Sequence, residues 1–225
     1  MKKLIPILLA VFALVSCEKD PDMDKLDNEY LVFTNHDTSA KFNSFSTYYV
    51  PDSILVIGDS KEPEYWKDDN AQLIISAFVA KMDGAGYMRT PDKEDADLGL
   101  QLSYVASTYY FNGYYNNGPW WNYYPGYWIP GYWGGYWGGG WYYPYSITYS
   151  YSTGSLLADL VNLGAPEGAK EKLPVVWNAY ISGLIGSSGS LNVNRATTAI
   201  NQAFAQSPYS VSYTHLRAHE TDQYL

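Results

Sequence analysis

A stretch rich in tyrosine, tryptophan, glycine and proline divides the chain and limits what it can fold into. It occupies residues 109–145, and no charged residue occurs between Asp97 and Asp159. Glycine and proline at this density interrupt helices and long strands. The Pro-Gly-Tyr-Trp units recur about every five residues, which is too short a period for a solenoid repeat. We therefore predict a looped low-complexity insertion, carried as a long hairpin extension between two central strands.

The sequence on either side of this insertion predicts strands and two helices. Apolar residues recur at helical spacing between Ala71 and Met82, behind side chains at 68–70 that can cap a helix. A second helix is predicted roughly over residues 194–206. Leucines alternate with small or polar residues over 98–104, which is typical of a half-buried strand. Further strands are predicted over 31–33, 42–50, 54–57, 145–151, 156–161 and 175–181.

The order of these elements predicts an α+β fold. Strands, a helix, more strands and a last helix follow one another along residues 30–210, which suffice for one ordinary domain. The simplest layered arrangement is an antiparallel sheet with two helices packed on one face. The aromatic and glycine-rich hairpin insertion is then an addition to that domain.

The N-terminus has the layout of a lipoprotein signal peptide. Met1-Lys2-Lys3 precedes a short apolar run and then Leu14-Val15-Ser16-Cys17. The run is too short to span a bilayer, which needs about 20 apolar residues. We predict that residues 1–16 are removed and that Cys17, the single cysteine of the chain, carries the lipid. The alternative is an ordinary signal peptide whose cysteine is incidental.

Charge and composition constrain the partners. Residues 17–29 are acidic and poor in apolar side chains, so we interpret them as a flexible tether behind the lipidated cysteine. Such an acidic stretch resembles an export signal of surface lipoproteins, which favours an outer-membrane lipoprotein, with surface exposure as an open alternative. The net charge of −9 argues against a nucleic-acid partner. The predicted partner is the lipid bilayer, and no cofactor or metal is predicted.

The C-terminal residues 211–225 resemble the translation of a sequencing adaptor and are interpreted as a non-native tail. His215, His219 and Glu220 at helical spacing suggest a metal site, but such a site needs further ligands and supporting side chains. With the tail set aside, His36 is the one remaining histidine. It lies in a polar Asn-His-Asp loop, which favours a solvated side chain over a catalytic one.

Three interpretations of the aromatic insertion stay open. Its rings could pack on each other and on the sheet, as aromatic side chains mostly do. They could form a flat binding surface for the CH-rich faces of an envelope glycan. They could also lie at the membrane–water interface or dock another envelope protein. The side chains predicted to contact a ligand are Trp120, Trp121, Tyr127, Trp128, Tyr132, Trp133 and Trp137.

Catalysis has one candidate. Glu62, Glu64, Asp68 and Asp69 could supply the carboxylate pair of a weak polysaccharide hydrolase. Acidic residues before a helix more often cap it or interact with its dipole. We therefore predict no catalytic residue and a protein that is not an enzyme.

Several short motifs give the chain a family resemblance. They are residues 42–50 (Phe-Asn-Ser-Phe-Ser-Thr-Tyr-Tyr-Val), Gly86-Tyr87, residues 96–100 (Ala-Asp-Leu-Gly-Leu), residues 154–157 (Gly-Ser-Leu-Leu), Asp159-Leu160, residues 175–177 (Val-Val-Trp), and Phe204 with residues 207–209 (Ser-Pro-Tyr). In this order they resemble the lipoprotein family called domain of unknown function 4136, of the Bacteroidetes type. The resemblance implies an α+β envelope lipoprotein with no established activity, so no functional residues are carried over. The long aromatic insertion departs from the family pattern.

Overall fold

The computed structural model describes residues 30–60, 63–107, 141–146, 152–164, 173–186 and 190–210. These residues form nine β-strands and two α-helices. The strands are β1 Leu31–His36, β2 Thr47–Tyr49, β3 Ile54–Ile57, β4 Glu64–Trp66, β5 Met88–Arg89, β6 Leu98–Val105, β7 Trp141–Tyr142, β8 Ser155–Asn162 and β9 Leu173–Ser182. The helices are α1 Asp69–Gly84 and α2 Val193–Ala205. The predicted α+β class is confirmed.

The sheet is mixed, so the prediction of an antiparallel sheet was wrong in part. Strands β1, β9, β8 and β6 do pair antiparallel in that order. The other edge of β6 is shared by two short strands that run parallel to it, β2 near its start and β3 near its end. β5 runs parallel to β2, and β4 pairs antiparallel with β3. A 3₁₀ turn at Phe42–Ser44 replaces the first part of the strand predicted over 42–50.

Helix α1 is the physical reason for the parallel pairs. Antiparallel strands can be joined by a tight turn, whereas parallel strands need a crossover connection, usually a helix. In the chain, α1 lies between the β3–β4 pair and β6, and it packs on one face of the sheet. The chain therefore returns into β6 in the same direction as β2 and β3.

The hairpin form of the insertion is not confirmed. Residues 108–140 lie outside the described residues. The described residues that follow them form β7, which pairs in parallel with the start of β9, through Trp141 with Leu173 and Tyr142 with Pro174.

Both helices pack on the same face of the sheet. α1 begins after Asp68, whose Oδ1 accepts hydrogen bonds from Ala71 N at 3.0 Å and Trp66 Nε1 at 2.6 Å. α2 begins after Asn192, whose Oδ1 accepts from Arg195 N at 3.0 Å. The side chains that the helices bury are Ala71, Ile74, Ile75, Phe78, Met82, Ala196, Ala199, Ile200 and Ala203. They join the helix-facing side chains of β6, β8 and β9 in the larger of two core clusters.

The opposite face of the sheet is covered as well, which corrects the prediction that β6 is half-buried. Gln101 and Ser103, on the side of β6 away from the helices, are 1% and 0% exposed. A second core cluster lies on this side. Its members are Leu55, Ile57, Ala96, Trp141, Val105, Leu157, Val161, Leu163, Leu173, Val175 and Tyr180. Trp141 comes from the C-terminal part of the stretch 109–145, so that part belongs to the folded domain.

Candidate functional site

A row of polar side chains crosses the sheet on the face away from the helices. In the register of the sheet, Asn35 of β1 pairs with Asn178 of β9. Asp159 of β8 pairs with Asn178 on one side and with Gln101 of β6 on the other. Directly opposed residues of antiparallel strands place their side chains on the same face. We call these four residues the polar row, and its members on β9, β8 and β6 are at most 1% exposed.

Residues 141–146, which we call the covering segment, lie across the polar row. Tyr143 Oη donates to Asp159 Oδ1 at 2.6 Å. Tyr145 Oη donates to Asn178 Oδ1 at 3.0 Å. The two tyrosine rings meet edge to face, with their centroids 5.7 Å apart. Two neighbouring strands, β8 and β9, thus each accept a hydrogen bond from a tyrosine hydroxyl of the covering segment.

The two ends of the covering segment are also fixed. At its start, Trp141 is 1% exposed and pairs with Leu173 of β9. At its end, Asn35 Nδ2 donates to Ser146 O at 3.0 Å. The segment therefore crosses β8, β9 and β1 in turn, with a side-chain hydrogen bond at each strand.

Burial makes these hydrogen bonds necessary for the fold. A carboxyl or amide group taken out of water costs free energy unless its hydrogen bonds are replaced. Tyrosine suits this position because it carries a hydroxyl at the tip of a rigid apolar ring. At the rim of the second core cluster, burial raises the pKa of the Tyr49 and Tyr65 hydroxyls. The polar row therefore favours a segment with tyrosines at alternate positions.

Replacing Tyr143 tests this role. Tyr143→Phe is expected to lower the free energy of unfolding by about 2 kcal/mol, because the buried carboxyl group of Asp159 loses the hydrogen bond from this hydroxyl. Tyr145→Phe removes a bond to a neutral amide oxygen and should cost about 1 kcal/mol. Both variants keep the ring contact, so urea denaturation compares the two hydroxyls directly. A Tyr143→Phe variant as stable as the parent would contradict the role assigned to the polar row.

The described residues on either side of 108–140 lie at opposite ends of the sheet. The amides of Ala106 and Ser107 donate to Ile57 O at 2.8 and 3.2 Å, at the end of β6. Trp141 instead pairs with Leu173, at the end of the sheet where β6 begins. The two attachment points are therefore separated by roughly the length of β6, which is about 25 Å for a strand of this length.

The site residues predicted from the sequence lie outside the described residues. This holds for Cys17 and for every aromatic residue predicted to contact a ligand: Trp120, Trp121, Tyr127, Trp128, Tyr132, Trp133 and Trp137. What the structure adds is the attachment of that stretch to the domain, through Ser107 on one side and the covering segment on the other.

The acidic residues before α1 have a structural use. Asp68 caps the helix through its Oδ1, and Asp69 is the first helical residue. Glu64 is exposed on β4, and Glu62 lies outside the described residues. This arrangement is that of a helix start, where negative charge is stabilised by the dipole.

A polar cavity of about 460 Å³ lies at the end of the sheet where β6 begins. Its acidic groups hold neighbouring loops. Asp97 Oδ2 accepts from Ser46 N and Thr47 N at 2.7 and 3.0 Å, and Asp37 Oδ1 accepts from Ser39 N at 2.8 Å. Among the described residues, no group of three or more His, Cys, Asp or Glu side chains is placed to hold a metal ion.

The sequence analysis did not predict the polar row. Gln101, Asp159 and Asn178 each lie between apolar residues of a strand, for example Gln101 between Leu100 and Leu102. For 98–104, the alternation predicts a strand with one solvent-facing side. A usable signal did exist, because polar residues recur on one face of three neighbouring strands and tyrosines recur at 143 and 145.

Comparison with known proteins places the chain in a structural context. The family described as "Domain of unknown function (DUF4136)" matches residues 32–209. The chain is similar to a DUF4136 family protein from Bacteroides thetaiotaomicron, whose crystal structure was determined at 1.60 Å, with 54% identity and a TM-score of 0.74. That match covers 82% of this chain and 99% of the other.

A more distant likeness is to the PelC dodecamer from Paraburkholderia phytofirmans. It has 15% identity and a TM-score of 0.39, and covers 81% of this chain and 98% of that one. This likeness is too distant to bear on fold or function. No curated protein matches the chain.

Proposed function

The chain belongs to the DUF4136 family, and from that starting point we propose that it is an envelope lipoprotein that binds a partner through its aromatic insertion. The lipid on Cys17 attaches it to the outer membrane, and the folded domain presents the insertion. The role is binding or structural rather than catalytic.

The anchor rests on the N-terminal sequence. Leu14-Val15-Ser16-Cys17 fits the pattern at which a cysteine is lipidated, and the cysteine has no partner of its own kind in the chain. Among the described residues, no helix has both the length and the apolar character to cross a bilayer. Several acyl chains supply a durable attachment on their own.

One observation carries the binding role, and it is the attachment of the covering segment. Buried Trp141 and the hydroxyls of Tyr143 and Tyr145 fix the C-terminal end of the insertion on the sheet. On the other side, Ser107 Oγ donates to Asp59 Oδ1 at 2.6 Å. The aromatic stretch is therefore joined to the folded domain at both ends, so a partner that binds it is held at the domain.

An envelope glycan fits the composition of the insertion best. Trp and Tyr offer flat apolar faces with a polar edge, which match the CH-rich faces of sugar rings. The absence of charge from residues 108–140 suits a neutral, hydroxyl-rich ligand. Another envelope protein is the alternative target, because Tyr and Trp are enriched in binding hot spots.

Replacing four tryptophans tests the binding role. In the acylated full chain, Trp120, Trp121, Trp128 and Trp133 are replaced together by alanine, and binding to purified envelope polysaccharides is measured. We expect affinity to fall at least about tenfold, which corresponds to about 1.4 kcal/mol. The matched control replaces the same four residues by phenylalanine, which keeps the flat rings and should keep most of the affinity.

The folded state is checked by the melting transition of each variant. Undiminished polysaccharide binding by a folded alanine variant would contradict the proposal. If the parent itself binds no polysaccharide, crosslinking in cells with the same variants tests an envelope protein as the partner. A deletion of 109–145 is not a substitute for these variants, because it removes Trp141 from the core.

A further inference from the structure

Two exposed apolar side chains lie next to each other on edge strand β1. Four large apolar side chains are exposed among the described residues: Leu31, Phe33, Leu73 and Met88, at 60, 43, 56 and 66%. Leu31 and Phe33 are two residues apart in a strand, so they lie on the same face of the sheet. Within the described residues β1 pairs with β9 alone, which makes it an edge.

These side chains lie at the end of the sheet where the tether arrives. Leu31 pairs with Ser182, the last residue of β9, and Val105, the last residue of β6, pairs with Ser155. The same end of the sheet therefore carries the start of β1 and the residues from which the insertion departs. We call it the tether end, because Tyr30 is the first described residue after the segment that begins at Cys17.

The length of chain between lipid and domain is short. Thirteen peptide units separate Cys17 from Tyr30, and they reach at most about 45 Å when fully extended. A lipid on Cys17 thus keeps the start of β1 within about 45 Å of the bilayer. Tethering raises the effective concentration of weak contacts, so a small apolar surface suffices.

We propose that Leu31 and Phe33 insert into the interfacial layer of the bilayer that holds the lipid on Cys17. This contact orients the domain with the tether end toward the membrane. The inference rests on the lipidation in the proposed function, but it concerns β1 and does not depend on what the insertion binds.

Site-directed spin labelling of the acylated full chain tests the contact. Cys17 is the single cysteine and its thiol is blocked by lipid, so Leu31→Cys or Phe33→Cys introduces a unique reactive thiol. Leu73→Cys and Met88→Cys are matched controls, because both positions are exposed and apolar but lie elsewhere. Each protein is placed in vesicles of phosphatidylethanolamine and phosphatidylglycerol. Collision of the label with oxygen, which concentrates in lipid, is compared with collision with a water-soluble nickel complex.

We expect the oxygen-to-nickel collision ratio at positions 31 and 33 to exceed that at 73 and 88 by about threefold or more, as for side chains in the interfacial layer. Equal, water-like ratios at all four positions would overturn the inference. Dipolar broadening between labels at position 31 would also overturn it, because it would mean that a second copy covers the edge.

Mass spectrometry before labelling separates this inference from the proposed function. A chain without acyl groups on Cys17, which does not float with vesicles, overturns the anchor and the inference together. An acylated chain with water-like labels at 31 and 33 overturns the inference alone.

Discussion

Trp141→Ala is expected to lower the free energy of unfolding by about 3–5 kcal/mol, because a fully buried tryptophan leaves a large cavity. Trp141 is 1% exposed and belongs to the core cluster on the side of the sheet away from the helices. Its loss also frees the start of the covering segment, where Trp141 pairs with Leu173. Urea denaturation of the parent and the variant measures the difference.

Tyr142→Ala is the matched control for that measurement. Tyr142 is the next residue of the same two-residue strand, but it is only partly buried. Its replacement should cost clearly less than that of Trp141. If Trp141→Ala cost no more than Tyr142→Ala, the second core cluster would contribute little, and the covering segment would not be part of the fold.

Gly154→Ala is expected to cost about 2–4 kcal/mol, the sum of a left-handed backbone and an overpacked contact. Gly154 has φ +81°, a conformation that side chains rarely adopt, and it begins the turn into β8. A Cβ at this position would overlap Cγ1 and Cδ1 of Ile185. Thermal and urea unfolding should both show the loss.

Gly84→Ala is the opposite case and serves as its control. Gly84 is the last residue of α1, and an added Cβ there would meet nothing within 4 Å. Alanine in a helix is favoured over glycine, so this variant should be neutral or up to about 1 kcal/mol more stable. Equal effects at the two glycines would contradict the account of the turn before β8.

The elements that sequence patterns predicted best are those with long, regular periodicity. The stripe from Ala71 to Met82 corresponds to α1, and the alternation in 98–104 corresponds to β6. No comparable sequence pattern indicated the direction of the strands. β2 and β3 are three and four residues long, and their parallel pairing with β6 follows from the crossover through α1, which no local pattern records.

The covered second face was beyond local prediction for a related reason. A glutamine between two leucines is typical of a strand with one solvent-exposed face. Gln101 is nevertheless buried, because residues distant in the chain cover this face of the sheet. Burial of Asp159 depends in the same way on Tyr143, which lies at the C-terminal end of the insertion. As for the site itself, Cys17 and the aromatic ligand-contact residues remain predictions.

Because Ser107 and Trp141 lie at opposite ends of the sheet, the chain that connects them has a minimum length. An extended residue covers at most about 3.6 Å, so roughly seven or more residues are needed to join the two positions. The connection has no comparable maximum length, because the entropy cost of a longer loop grows only with the logarithm of its length. In relatives, this connection can therefore become longer or change its sequence with little loss of stability. A connection shorter than the minimum would pull β6 and the covering segment out of their places in the fold.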